Sequence, residues 1–284
     1  TLFDELAVEW KTQVGQGREN LSVTIGRQEL KLGEAGNSWL INEGTPGDGS
    51  WTNYFDAVRA RFQSTALKTT FECVLIDQDA DVDDRLPTLG RSDAYAMSEH
   101  DEFGAILYAT HRASAAATWD AFVIYKENRR VLANGNDSEL TTPGLRLSGA
   151  FAGRWQYNAE LAYQFGEKRD PALRNPTPAA ERRDVRAWGG NARLTWVGRD
   201  GWANRLSLIT EYLSGDDPGT TGRDELFDVL WGRCPRFSDI VATAFTVENG
   251  ATYQAANLVR IGPEWSCAPT ETSGFTLGWQ RLLA

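Results

Sequence analysis

Hydrophobic and polar side chains alternate along most of this chain. In residues 154–168, every second position from Trp155 is apolar, whereas most intervening positions are polar. The apolar row has Trp155 and Tyr157 at one end and Tyr163 and Phe165 at the other. A period of two residues predicts a β-strand with one apolar face and one polar face.

The same alternation recurs from end to end and predicts about twelve strands, with almost no helical periodicity between them. Every strand is expected to have one apolar and one polar face, as in residues 154–168. The predicted strands span residues 2–13, 20–32, 54–64, 67–77, 102–112, 117–127, 143–152, 154–166, 184–197, 203–213, 255–266 and 273–282.

Two of these segments fit the alternation less well. In the fifth strand, Ile106 and Tyr108 fall on the face opposite Phe103 and Leu107, so both faces carry apolar residues. In the second strand, the phase of the pattern changes between Ile25 and Leu30. A β-bulge near residues 26–28 would absorb that change.

Short and long connections alternate through the whole series of strands. Short ones such as "STA" and "AG" are followed by long polar ones, the longest of which runs from Ser214 to about Gln254. In an up-and-down sheet, all the short connections then lie at one end and all the long ones at the other. Outer-membrane barrels have this asymmetry, whereas Greek-key sandwiches do not require it.

Composition agrees with a membrane barrel. Only 41% of the 284 residues are hydrophobic, yet the chain has 11 Trp, 8 Tyr and 12 Phe. A barrel places its aromatic residues outside and fills its interior with polar groups. No apolar run approaches the ~18 residues of a membrane-spanning helix, and a net charge of −10 argues against a nucleic-acid partner. The predicted fold is all-β, an antiparallel up-and-down transmembrane β-barrel formed by a single domain, residues 1–284.

No constellation of residues predicts an enzyme or a cofactor. His111 and Ser114 are near neighbours, but the surrounding sequence matches no nucleophile motif. Three cysteines show no metal-binding spacing; Cys234 and Cys267 would pair only in an oxidising compartment.

An acidic stretch, "DQDADVDD", spaces Asp77, Asp79 and Asp81 as the first ligands of calcium loops are spaced. It lacks the glycine and the bidentate glutamate of those loops. The stretch is therefore read as a solvated extracellular loop, or as a loose divalent-cation contact that bridges lipopolysaccharide phosphates.

Charged side chains on the predicted polar faces are the main candidate functional residues. They are Arg59, Arg61, Lys68, Lys126, Arg146, Arg193 and Arg205, with the carboxylates Glu72, Asp120, Glu160 and Glu211. Cations lead there, although the whole chain is acidic. Because Arg and Lys along a narrow pore lower the barrier for anions, these charges predict an anion-passing lumen. A ladder of ion pairs that braces the wall is the other reading, and both can hold together.

Two ordered motifs resemble the alginate-export family of outer-membrane porins. The first is "IGRQELKLGE" (25–34) followed by "WTNYFDAVRARF" (51–62). The second is "EYLSGDDP" (211–218) followed by "ELFDVLWGRCPRF" (225–237). The resemblance covers most of the chain.

The resemblance implies a monomeric barrel in the outer membrane of a Gram-negative bacterium, with an arginine-rich constriction that passes an anionic uronate polymer. It makes Arg27, Asp56 and Arg59 candidates for the wall of that constriction, and periplasmic export components candidate partners. Arg61, Arg193 and Arg205 are added from the face assignment alone.

The chain also departs from the family pattern. About twelve strands are too few for a barrel of 16–18 strands, and the final "GWQRLLA" lacks a terminal aromatic residue. We therefore expect a chain that is incomplete at both ends, or a smaller member of the family. The predicted function is passive diffusion of an anionic polysaccharide, such as alginate, or of related polar solutes. The alternative is a soluble or surface-attached carbohydrate-binding module that stacks its aromatic residues on sugars.

Overall fold

The computed structural model describes most of the chain as β-strand. The described residues are 5–15, 19–33, 40, 54–80, 100–114, 116–132, 135–169, 182–217, 219–232 and 256–283. Within these ranges, no helix is both long enough and apolar enough to span a membrane. The strands are β1 Leu6–Val14, β2 Glu19–Gln28, β3 Phe55–Ser64, β4 Thr69–Gln78, β5 His100–Ser114, β6 Ala117–Arg130, β7 Asp137–Phe151, β8 Trp155–Arg169, β9 Arg183–Val197, β10 Arg205–Leu213, β11 Arg223–Asp224, β12 Leu258–Thr270, β13 Ser273–Gly278 and β14 Arg281–Leu283.

These strands form one antiparallel, up-and-down sheet. From β1 to β10 each strand is hydrogen-bonded to the next, and β12 and β13 continue the order. The short β11 pairs in parallel with β9, and β14 pairs with β12. The predicted strands correspond to β1–β10, β12 and β13, so the predicted all-β, up-and-down fold is confirmed.

The two ends of the sheet have connections of different length, as predicted. At one end, which we call the turn end, residues 65–68, 152–154 and 271–272 reverse the chain. The opposite end, which we call the loop end, has the connections 29–54, 79–99, 131–136, 170–182 and 214–257.

One loop-end connection is shorter than the sequence predicts. β7 begins at Asp137, whereas the prediction placed its start at Pro143. Proline lacks an amide hydrogen and usually limits a strand. Here Pro143 stays paired with Val123 of β6, while the register between β7 and β8 skips residues 142–143. The ladder is thus interrupted on the β8 side only, and the strand continues.

The two faces of the sheet differ in chemistry, and their burial is the reverse of that in a water-soluble sheet. On one face, which we call the apolar face, Leu107, Leu145 and Leu161 are more than half exposed. On the other, the polar face, Asp120 and Arg146 are 2% and 3% exposed. Soluble monomers rarely expose contiguous apolar surface on this scale, but the lipid-facing side of a membrane barrel does.

Aromatic side chains flank the apolar face at both ends. Near the turn end, the rings of Phe151 and Trp155 stack at 6.2 Å. Towards the loop end, Tyr163 and Trp188 lie 4.5 Å apart, and the exposed Leu161 lies between these pairs along the sheet. Two aromatic belts around an aliphatic band match the two interfaces of a bilayer.

The buried apolar core lies on the polar face, at the loop end. Residues 223–232, which we call the inner segment, contribute Phe227, Leu230 and Trp231 to it. Residues that follow β2, including Leu30 and Leu32, join the same cluster. The strand residues of the cluster include Val74, Ile76, Ile106, Ile124, Leu140, Val185 and Ala187.

This core explains the two segments that fitted the alternation poorly. Ile106 of β5 is on the polar face but is 1% exposed, because it belongs to the buried cluster. The predicted bulge near residues 26–28 is wrong, since β2 pairs with both neighbours without a register shift. The strand instead ends at Gln28, and Leu30 is buried in the cluster rather than on the sheet.

Candidate functional site

Most of the predicted charged residues lie on the polar face. The strand registers place there Arg59, Arg61, Arg146, Arg193, Arg205 and Glu211, together with Lys126, Glu72, Asp120 and Glu160. Three predicted residues lie elsewhere. Arg27 and Asp56 are on the apolar face, and Lys68 is in a turn.

Arg27 and Asp56 lie on the apolar face rather than beside Arg59. They are directly opposite each other on β2 and β3, where Arg27 Nη1 donates a hydrogen bond to Asp56 Oδ2 at 3.0 Å. Asp56 shares its face with the exposed Val58. Since successive residues point to opposite faces of a strand, Asp56 and Arg59 cannot share one.

Lys68 belongs to a turn rather than to the wall. β4 begins at Thr69, and Lys68 closes the turn 65–68 with φ 51°. Its amide donates to the carbonyl of Thr65 at 3.3 Å. The left-handed backbone ends the strand alternation at this residue.

Arg59 forms a nearly buried ion pair with Glu72 on the neighbouring strand. Arg59 Nε donates to Glu72 Oε2 at 2.8 Å, and the Glu72 side chain is 3% exposed. The same guanidinium donates to the carbonyl of Lys31 at 2.7 Å. Arg59 therefore joins the wall to the residues that follow β2, and its charge is compensated.

Arg146 lies between two carboxylates in a cross-strand row. It is opposite Asp120 on β6 and opposite Glu160 on β8. Arg146 Nη1 is 3.4 Å from Asp120 Oδ2, and Arg146 Nε donates to Asn158 Oδ1 at 3.1 Å. Opposite charges in adjacent positions of a sheet stabilise it, so the predicted ladder of ion pairs exists here.

The ladder continues on β10 and β12 with an arginine that the prediction did not include. Arg260 Nε donates to Glu211 Oε2 at 2.9 Å, and both side chains are buried. Arg193 on β9 forms an ion pair with Glu264 on β12, across the intervening β10, but this pair is more exposed. The alternation of Arg260 and Glu264 with the apolar Val259, Ile261 and Trp265 is the sequence signal that would have identified these residues.

A polar cavity near the turn end brings three of the predicted arginines together. Its volume is about 370 Å³, and its lining includes Arg146, Arg193 and Arg205 with Gln156 and Asn158. Arg205 Nη2 donates to Gln156 Oε1 at 2.6 Å. Among the described residues Arg205 has no carboxylate partner, so its charge faces the cavity uncompensated.

A second polar cavity lies on β1–β3. It has a volume of about 410 Å³, and Arg61, Lys11 and Glu9 contribute its charges. Lys11 pairs with Glu9 at 2.8 Å. No carboxylate pairs with Arg61 in the described part of the chain. Both cavities therefore combine excess positive charge with amide and hydroxyl groups, which is the chemistry that carboxylated sugars require.

A row of carboxylates crosses the apolar face at its loop end. Glu127, Glu139, Glu167 and Asp184 are directly opposite one another on β6–β9. Arg182 donates to Glu139 and to Glu167, each at 3.1 Å. These hydrogen bonds raise the pKa of the Arg182 guanidinium, and its positive charge offsets the repulsion expected between like charges in adjacent strands.

The described acidic residues of the 77–84 stretch form no metal site, and His111 does not contact Ser114. Asp77 lies at the end of β4 opposite Phe103, Asp79 follows the strand, and Asp81 lies outside the described residues. No group of three or more potential ligands occurs in the described ranges. His111 Nδ1 contacts Thr69 Oγ1 at 3.0 Å rather than Ser114.

The cysteines do not form a pair among the described residues. Cys267 is buried and Cys73 is exposed, and both thiols are free. Cys234, which would pair with Cys267 only in an oxidising compartment, lies outside the residues that the structure describes.

Comparison with known protein families agrees with the all-β fold. Against curated proteins the chain has no significant match. The family model described as alginate export matches residues 3–275, which is most of the chain. The chain therefore belongs to the alginate export family, a transport family of the outer membrane of Gram-negative bacteria.

Proposed function

We propose that this protein is a passive channel whose polar face lines a water-filled lumen and conducts an anionic polysaccharide, such as alginate, or related acidic solutes. The observation that carries the proposal is the polar cavity with Arg146, Arg193 and Arg205. It lies on the polar face of a sheet whose opposite face is apolar and exposed.

The charges of the polar face support anion passage. Arg59, Arg146 and Arg260 are held by carboxylates and brace the wall. Arg61 and Arg205 have no such partner among the described residues, so they lower the energy of an anion that passes them. Because a uronate unit carries one carboxylate and several hydroxyl groups, the amides beside these arginines add hydrogen bonds that a simple anion would not need.

The exposed apolar face supports a membrane location over the alternative, a soluble or surface-attached carbohydrate-binding module. In such a module, the aromatic residues would pack in a dry core or form a sugar-binding platform. Here Phe151 and Trp155 are on the face that exposes Leu145 and Leu161. A protein with this surface requires detergent or lipid to remain dispersed.

Further features of the channel follow as expectations. We expect a monomeric barrel of 16–18 strands that includes β1–β10, β12 and β13. Outer-membrane lipid and lipopolysaccharide would surround the apolar face, a divalent cation would be bound at most loosely at the loops, and periplasmic export components would deliver or receive the polymer. A passive lumen has no inherent direction, so import and export use the same path.

Planar lipid bilayers test this function. The full chain, purified from membranes in detergent, is inserted, and the reversal potential is measured in a KCl gradient. We expect discrete conductance steps, preference for chloride over potassium, and concentration-dependent block by oligomers of a uronic acid. Neutral oligosaccharides of the same length are the control. Absence of conductance, or preference for potassium, would contradict the proposal.

A further inference from the structure

The inner segment is anchored on the polar face by its tryptophan. Trp231 Nε1 donates to Glu102 Oε2 at 2.8 Å, and its ring meets that of Phe55 edge-on at 5.9 Å. Lys126 Nζ lies 4.7 Å from the centre of the indole ring. A β-carbon added to Gly104 would lie 2.6 Å from the indole, so only glycine leaves room for it. The indole is therefore fixed by a hydrogen bond, a ring contact, a nearby ammonium group and close packing on Gly104.

The backbone of the inner segment is held as firmly as its tryptophan. Gln164 Nε2 donates to the carbonyl of Asp228 at 2.6 Å, and Gln164 Oε1 accepts from the amide of the same residue at 2.8 Å. The side chain of Gln164 thus pairs with Asp228 as a neighbouring strand would. Lys126 Nζ donates to the carbonyl of Leu230 at 3.2 Å.

The beginning of the inner segment is tied to β8 and β9. Asp224 accepts from Lys168 and from Arg183, each at 3.1 Å. The amide of Phe227 donates to the carbonyl of Ser214, and the hydroxyl of Ser214 donates to the carbonyl of Glu225 at 2.6 Å. Ion pairs at its start and the indole at its end therefore hold the segment across the polar face.

The wall beneath the segment is built for it. Ile106, Ile124 and Leu140 place apolar side chains on a face that is otherwise polar. A lumen wall in contact with water has no reason to expose such residues, and in their present positions they are at most 3% exposed. The wall and the segment thus form one dry layer inside the sheet at the loop end.

We propose that the inner segment is a fixed constriction that sets the largest solute cross-section the channel admits, while the turn-end arginines set its charge preference. This inference rests on the proposed function, because it requires the polar face to line a conducting lumen. A segment bonded along its whole length occupies space in that lumen permanently. Size selection and charge selection therefore reside at different depths of the channel and on different residues.

A double variant tests the constriction. Trp231→Ala combined with Gln164→Ala removes the indole anchor and the pairing with Asp228. We expect the single-channel conductance to rise about twofold or more, because conductance follows pore cross-section. In liposome-swelling assays, neutral oligosaccharides excluded by the wild type should enter. The chloride-to-potassium permeability ratio should change little, since Arg193 and Arg205 are untouched.

Trp202→Ala is the matched control. Trp202 is a 59%-exposed indole in the turn between β9 and β10, remote from the inner segment, and its loss should leave both conductance and size limit unchanged. If the double variant inserts poorly, deletion of residues 226–232 removes both Asp228 and Trp231 and tests the same prediction.

The outcomes separate the two proposals. A wild-type protein that forms no anion-preferring channel would contradict the proposed function itself. If the wild type conducts as expected, but the released variants fold and show the wild-type conductance and size limit, the constriction is refuted and the segment has only a structural role. A higher conductance that is accompanied by loss of anion preference would also refute it, because the two selections would then not be separate.

Discussion

The loop-end half and the turn-end half of the polar face are built on different principles. At the loop end, Lys126 and Glu102 form an ion pair in a dry layer, where Lys126 is 1% exposed. At the turn end, Arg193 and Glu264 form an ion pair at a polar cavity, where Arg193 is 45% exposed. The same alternating strands thus supply a packed interior at one end and a wet one at the other.

One strand face therefore serves two purposes along its length. β6 carries Asp120 in the ladder nearer the turn end, then Ile124 in the apolar cluster, then Lys126 against the inner segment. Burial makes interactions at the loop end strong and structural. Exposure makes Arg193 and Arg205 at the turn end weak contributors to stability and leaves them accessible to a solute.

The largest contrast should appear when the two ion pairs are broken. Glu102→Gln neutralises a carboxylate 3.0 Å from the ammonium group of the buried Lys126, and we expect a loss of about 3–5 kcal/mol in the free energy of unfolding. Glu264→Gln at the half-exposed pair should cost about 1 kcal/mol or less. Urea unfolding in lipid vesicles, followed by tryptophan fluorescence, measures both. Equal losses would mean that the two ends do not differ in dielectric environment.

The clamp by Gln164 should have a smaller but local effect. Gln164→Leu removes both hydrogen bonds to Asp228, which leaves backbone groups of the inner segment unsatisfied at a cost of about 1–3 kcal/mol. Hydrogen exchange of the Asp228 amide should accelerate more than that of the strands. Gln78→Leu is the control, since the only described hydrogen bond of the Gln78 side chain is a long one of 3.5 Å to the carbonyl of Tyr54. Unchanged exchange at Asp228 would show that the apolar contacts alone hold the segment.

Ion preference should distinguish an arginine of the cavity from one outside it. Arg205→Gln should lower the chloride-to-potassium permeability ratio about two- to fivefold. A unit positive charge about 8 Å away in water stabilises chloride by ~0.5 kcal/mol and destabilises potassium by the same amount. Arg27→Gln, on the apolar face, should leave the ratio unchanged. Reversal potentials at low salt measure both variants. A larger effect of Arg27 would restore the assignment that the family resemblance implied.

The smallest effect is a pH dependence in the turn between β9 and β10. Asp200 accepts from the side chain and the amide of Asn204 and from the amide of Trp202, and these hydrogen bonds lower the pKa of its carboxyl group. A lowered pKa in the folded state means that the contribution to stability is present above the ordinary carboxyl pKa of about 4 and is lost as the pH falls through the lowered value.

Hydrogen exchange in the turn, corrected for intrinsic pH dependence, measures this contribution. In the wild type, opening should become more frequent only at acid pH, whereas Asp200→Asn should open equally often across the range. An acid-induced opening that persists in the variant would assign the pH dependence to another group.

Much of the fold could be predicted from the sequence because the strand signal is local. The alternation in residues 154–168 alone identifies a strand with an aromatic residue at each end of its apolar face. The same period of two in residues 54–64 assigns Asp56 and Arg59 to opposite faces, since they are three positions apart in the sequence. Grouping these two residues at one constriction followed the family resemblance, and the register does not support it.

The candidate site was less predictable than the fold. Arg146, Arg193 and Arg205 are on three different strands, and only the pairing of β7 to β10 brings them to one cavity. Which arginines retain carboxylate partners also depends on register. Glu211 was predicted as a lumenal charge without a named partner, and the structure pairs it with Arg260.

The strands, their two faces and the contrast between short turns and long loops follow from the sequence alone, because each depends on neighbouring residues and on a period of two. The position of residues 223–232 against the polar face, and of the core between them, depends on the folded sheet. The contacts responsible join residues far apart in the chain, such as Gln164 with Asp228 and Glu102 with Trp231. No local pattern encodes them, because apolar residues in a loop bury themselves wherever the folded sheet offers a matching surface.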